Sequence, residues 1–186
     1  MEAIKRIELN KIAKVILIAI LGTVLLTISA KIKIPFYPVP MTMQTFMVLF
    51  LGIKLGPKIG LLTISLYLFE GIFGLPVFAG TPEKGIGLVY FTGPTMGYLI
   101  DFLVATYFAG LFKYEKSLIN NLIKLIFSVS FIYILGLIWL GTLIGWDKPI
   151  FKLGAEPFLL AELFKMLLLL FLTPTLLKVK KLIKIT

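Results

Sequence analysis

Residues Pro157–Leu177 read PFLLAELFKMLLLLFLTPTLL, an apolar run interrupted by one carboxylate, Glu162, and one ammonium, Lys165. A charged side chain at mid-membrane costs about 2.5–3.5 kcal/mol, so it is seldom present without a partner or a task. Residues three apart share one helix face, so both heads point the same way. Pro157 suits the first turn of a helix, which puts the pair roughly two turns below the membrane surface. Two readings follow. The pair neutralises itself and locks two helices. Alternatively it clamps a ligand, Glu162 accepting from N–H groups and Lys165 donating to a carbonyl or carboxylate.

The surrounding composition makes this a membrane problem. Of 186 residues, 59% are hydrophobic, and mean hydropathy is +1.04. Soluble domains average about 45–50% apolar even with Gly counted, and a soluble fold of this size has no room to hide so much hydrocarbon. The length allows one integral membrane domain, residues 1–186. Cys and His are absent, which removes disulfides, Cys- or His-based metal sites and Cys–His or Ser–His–Asp catalysis. No metal site is expected. The net charge of +10 flanks apolar segments rather than forming a stripe, so it reads as topology-setting charge and not as a nucleic-acid surface.

Six membrane segments are expected: 12–30, 43–53, 58–73, 93–112, 118–145 and 157–177. The fold class is therefore all-α, a polytopic bundle of six transmembrane helices. The first run is long enough to span and reads as a membrane helix rather than a cleavable signal. Three loops fall on one side. Lys31–Thr42 carries Pro35, Pro38 and Pro40, Gly74–Thr92 is rich in Gly and Pro, and Trp146–Glu156 mixes charges. That side holds Lys31, Lys33, Lys84, Lys148 and Lys152. The other holds Lys5, Arg6, Lys11, Lys14, Lys54, Lys58, Lys113, Lys116, Lys124, Lys178, Lys180, Lys181 and Lys184. The positive-inside rule places both termini in the cytoplasm and the three loops outside.

Other residues have two readings each. Gly93, Gly97 and Asp101 step by four along one helix face beside Tyr98; Asp101 is a packing-face hydrogen-bond partner or a ligand group. Glu70 reads as a solvated head. Ala19, Thr23 and Thr27 form a small-residue stripe, for packing in the bundle or for docking another membrane subunit. Trp139 and Trp146 suit an interfacial aromatic belt without a ligand role. No G-x-x-x-x-G-K-[ST] sequence is present, so any ATP-driven step needs another polypeptide.

Three stretches together resemble the BioY family, biotin-specific substrate-binding S components of energy-coupling factor (ECF) transporters. They are IPFYPVPMTMQTF at Ile34–Phe46, GIFGLPVFAG followed by YFTGPTMG within Gly71–Gly97, and PFLLAELFK at Pro157–Lys165. Glu162 stands where the family usually has Asp, Leu160 and Ala161 replace Pro and Gly, Met96 replaces Gly, and Asp101 takes a commonly small position. The resemblance implies a six-helix S-component fold in a prokaryotic cell membrane, with biotin bound near the outer surface under the first two loops. It implies Glu162 and Lys165 as polar ligands, with Phe36, Tyr37, Val39, Gln44, Phe78, Ala79, Gly80 and Tyr98 as further site residues; Asp101 joins them as a candidate on its own reading as an intramembrane carboxylate. It also implies a transmembrane T subunit and two ATPases as partners, docking at Ala19, Thr23 and Thr27, and no cofactor besides the transported biotin. Three rivals are an S component for another vitamin, a small membrane enzyme using Glu162 or Asp101, and an accessory or scaffolding membrane protein that binds no solute.

Overall fold

The computed structural model describes residues 2–35, 41–115 and 117–182, with side chains from Leu9 to Pro174. In hydrocarbon every backbone N–H and C=O must be satisfied within its own segment, which makes apolar runs helical. The helices are α1 (Glu2–Lys31), α2 (Gln44–Ile72), α3 (Met96–Leu111), α4 (Leu118–Ile144), the short α5 (Ile150–Gly154) and α6 (Glu156–Leu182). Between α1 and α2, strands β1 (Lys33–Ile34) and β2 (Met41–Thr42) pair antiparallel, Lys33 opposite Thr42. Stretches 9–31, 44–72, 118–144 and 156–174 are long and apolar enough to cross a membrane, and α3 is a shorter apolar helix.

The α2 stretch is two helices rather than one. Gly56 has φ 78° and ψ 174°, and Pro57 follows. A Cβ on Gly60 would lie 3.5 Å from the Gly52 Cα, whereas eight residues along a continuous helix are about 12 Å apart. The chain therefore folds back at Gly56, and the Gln44 side chain reaches the Tyr67 hydroxyl at 2.9 Å. Pro57 opens the second half, where its missing N–H loses no helical bond. Counting the halves 44–55 and 57–72 separately, and α5 apart, the described residues contain six membrane-directed helical segments.

The expected fourth segment, 93–112, starts three residues later. Pro94 biases its predecessor to extended backbone, Gly93 has φ −82° and ψ 173°, and Gly87–Thr92 forms a 3-10 turn. Helix α3 packs on both α2 and α4. Its seam with α4 is so close that a Cβ on Gly97 would lie 3.1 Å from the Gly136 Cα. Leu49, Ile64, Tyr67, Leu125, Ile132 and Leu169 fill the core. Outward faces are apolar, including Leu17, Leu21 and Phe171, as lipid contact requires.

The small-residue stripe on α1 faces inward. Ala19 and Thr23 are 1% and 2% exposed, and the Thr23 hydroxyl donates to Glu70 Oε1 at 2.9 Å. Thr27 donates to the Thr23 carbonyl. Within this chain Ala19 and Thr23 admit α2 while Thr27 is half-buried, which favours the packing reading of the Ala19, Thr23 and Thr27 stripe over docking. Glu70, expected in solvent, is half-buried as the partner of Thr23.

Candidate functional site

The three Pro-, Gly- and charge-bearing loops gather at one end of the bundle, around a cavity of about 430 Å³. Its walls come from the start of α2 (Gln44, Thr45), α3 (Tyr98, Phe102), α4 (Ile132, Tyr133) and α6 (Phe158, Glu162, Lys165). Met41 of β2, Leu153 of α5 and the loop residues Ala79, Lys84 and Thr95 close it. Most of the lining is apolar or aromatic; Glu162, Lys165 and Thr45 make one polar side, and Thr42, Gln44, Lys84 and Thr95 add further polar groups, the usual character of a small-molecule site.

That polar side is a three-residue network. Lys165 Nζ lies 2.8 Å from Glu162 Oε1 and donates to Thr45 Oγ1 at 2.9 Å. The Thr45 hydroxyl faces the two Glu162 oxygens at 2.7 and 3.0 Å. It accepts from the ammonium and donates to the carboxylate. Glu162 and Lys165 are only 4% and 6% exposed, so each charge depends on the other for compensation. The Tyr133 phenol also stands against Glu162. An ammonium has three N–H donors; two are used here, leaving one, and lone pairs on Glu162, for a guest. The same pair therefore locks α6 to α2 and presents polar atoms to the cavity.

The structure brings Glu162, Lys165, Gln44, Ala79 and Tyr98 together in this wall. Tyr98 is held by its hydroxyl, which donates to the Gly154 carbonyl at 2.9 Å, and Gln44 by Tyr67. Phe36, Tyr37 and Val39 lie outside the described residues. Two residues expected in the site stand behind it. The Phe78 ring is 1% exposed and packs against Tyr67, Tyr90 and Phe91, because its turn directs the side chain into the core. Gly80 forms the turn itself at φ +79°, under the Lys84 side chain.

Asp101 stands apart from this cavity, on the side of its packing-face reading. It lines a separate groove of about 380 Å³ with Met96, Gly97, Trp139 and four other residues of α3 and α4. It is 1% exposed and sits against the Gly136 backbone without reaching hydrogen-bond geometry at either oxygen. Three residues past Tyr98, its side chain follows the α3–α4 seam rather than the cavity. Trp139 is tied to that seam, donating from Nε1 to the Gly93 carbonyl at 2.9 Å.

Sequence reading did not single out Thr45, Tyr133, Phe102, Phe158, Thr95 or Lys84. Thr45 was within reach, since it closes the Thr-x-Gln-Thr pattern of Thr42–Thr45. Lys84, Thr95 and Phe158 lie in the motif stretches 71–97 and 157–165 without a signal of their own, and Phe102 and Tyr133 come from apolar helices. Among the described residues, no cluster of three or more His, Cys, Asp or Glu is placed to hold a metal.

Comparison with known proteins bears on the family and the overall fold. The BioY family model matches residues 3–182. The Probable biotin transporter BioY of Pyrococcus horikoshii is 37% identical over 153 residues, covering 82% of this chain and 90% of that protein. The Biotin transporter BioY of Thermotoga maritima is 35% identical over 145 residues, covering 77% and 84%. Among solved structures, the S-component for biotin from an ECF-type ABC transporter superposes with a TM-score of 0.73 at 26% identity, covering 91% of this chain and 93% of that one. With the family model spanning nearly the whole sequence and relatives this similar over most of both lengths, the chain belongs to the BioY family.

Proposed function

We propose that this chain is the substrate-binding subunit of a biotin importer, and that biotin occupies the cavity at the loop end. The observation that carries the reading is the buried Glu162–Lys165–Thr45 network in the wall of a cavity lined mostly by apolar and aromatic residues. Biotin's ureido ring offers two N–H donors and a carbonyl to such a network. Its thiophane ring suits the aromatic walls, and its valerate carboxylate extends toward the loops. The relatives named as biotin transporters support the same ligand. The surplus of Lys and Arg at the other end supports an outward-facing cavity with both termini cytoplasmic. The ECF match supports assembly with a T subunit and two ATPases, which would drive release inward. The chain performs capture, not covalent chemistry.

Radiolabelled biotin binding to the purified protein in lipid nanodiscs tests this, with riboflavin and thiamin as competitors. Saturable binding of biotin that neither vitamin displaces is expected. Mass spectrometry of the recovered ligand is expected to return it intact. Absence of biotin binding sinks the reading, displacement by another vitamin reassigns the ligand, and a turned-over product makes the chain an enzyme.

A further inference from the structure

Residues Val77–Thr81 back the cavity, which Ala79 alone among them lines; the stretch has no sheet or helix to support it, yet every one of its carbonyls is taken. Val77 O accepts from the Tyr67 hydroxyl at 2.9 Å, Ala79 O from the Tyr90 hydroxyl, and Gly80 O from the Lys84 N–H at 2.8 Å. The remaining two are taken by one side chain. Lys31 Nζ donates to Phe78 O at 3.0 Å and to Thr81 O at 2.6 Å, and to Thr81 Oγ1 at 2.8 Å. The Thr81 hydroxyl passes its own proton to Phe78 O at 2.7 Å. All three N–H donors of the ammonium are thus spent on one turn, some fifty residues away, without any carboxylate.

The location gives this clasp a consequence. Lys31 is in the last turn of α1, where the helix dipole favours a cation. Of the residues between its two anchor points, Ala79 lines the cavity. Gly74, Gly80 and Gly85 have φ of +93°, +79° and +99°, so the stretch turns on residues free to change conformation. Burial raises the Tyr90 phenol above its ordinary pKa, keeping that second tie a donor. Hydrogen bonds to charged groups are the stronger kind, and the Lys31 ties are what joins this turn to the end of α1, beside the Phe78 ring that anchors it in the core.

We propose that Lys31 is a positioning residue that holds the Val77–Thr81 wall shut against α1 and thereby sets how slowly a bound ligand leaves. The proposal rests on biotin as the guest of this cavity. It is tested by stopped-flow or surface-plasmon kinetics with biotin on Lys31→Met, Lys31→Arg, Thr81→Val and the Lys31→Met/Thr81→Val double variant. Lys31→Met is expected to raise koff about tenfold or more with kon within about twofold. Arg keeps the donors and restores most of the residence time. Thr81→Val falls between, and the double variant is no faster than Lys31→Met, because both remove one network. Unchanged koff in Lys31→Met overturns the proposal, as does a fall in kon alone or a failure of Arg to restore. If Lys31→Met does not fold, unchanged koff in Thr81→Val overturns it instead. Failure of the unaltered protein to bind biotin would sink the ligand assignment and is read separately from these ratios.

Discussion

Thr45 places one hydroxyl between two buried charges, and the consequences are measurable. Removing either charge leaves the other uncompensated in a dry wall, which costs more than the lost bond. Glu162→Ala and Lys165→Ala are each expected to weaken biotin binding by about 1.5–3 kcal/mol, read by equilibrium dialysis. The double variant is expected to unfold at a higher temperature than either single one, because no lone charge remains; a lower midpoint would show that the pair is a net stabiliser. Thr45→Val keeps the shape and removes the bridge, and a loss of about tenfold in affinity is expected. Asp101→Ala provides the contrast. Its oxygens are buried without a bond and outside the cavity, so biotin affinity is expected to stay within about twofold, with thermal stability equal or raised. A large loss of affinity there would bring Asp101 back into the site.

Among the elements, two seams decide how the site is assembled. The reversal at Gly56 lets Gln44 and Thr45 face α6 while the second half of α2 carries Tyr67 to the same end. Its positive φ excludes other residues at low cost, so Gly56→Ala is expected to lower stability by about 1–2 kcal/mol in a thermal shift with biotin absent. The second seam joins α1 to α2. With Ala19 at 1% exposure, Ala19→Leu must overpack the bundle, and a loss of about 1–3 kcal/mol is expected in the isolated subunit. Unaltered stability combined with failure to co-purify with a T subunit would restore Ala19 to a docking role.

At the scale of the molecule, the chain separates a cavity end from a basic end. The absence of Cys makes orientation easy to measure. A cysteine at Asp147, exposed beside Lys148, is expected to react with a membrane-impermeant maleimide from outside intact cells. A cysteine at Lys113 is expected to react only after the membrane is opened. The reverse pattern would turn the cavity toward the cytoplasm.

Hydrocarbon as solvent made much of this legible in advance. Apolar runs fix helices, an ionisable pair inside one of them marks a place of interest, and the motif stretches 34–46, 71–97 and 157–165 point to the family. Those are local properties, carried by the length and polarity of single segments. Which residues meet is not local. Thr45 reaches Glu162 across 117 residues, and Lys31 reaches Thr81 across 50, through bonds that no periodicity encodes. Phe78 and Asp101 belong to stretches that read as site, yet their side chains leave it, because a turn and a helix seam set their direction. Hydropathy along the chain determined that there is a membrane bundle and where its buried charges lie. Only the packing of helices against one another decided which side chains share a cavity, since that depends on rotation about each helix axis rather than on position along it.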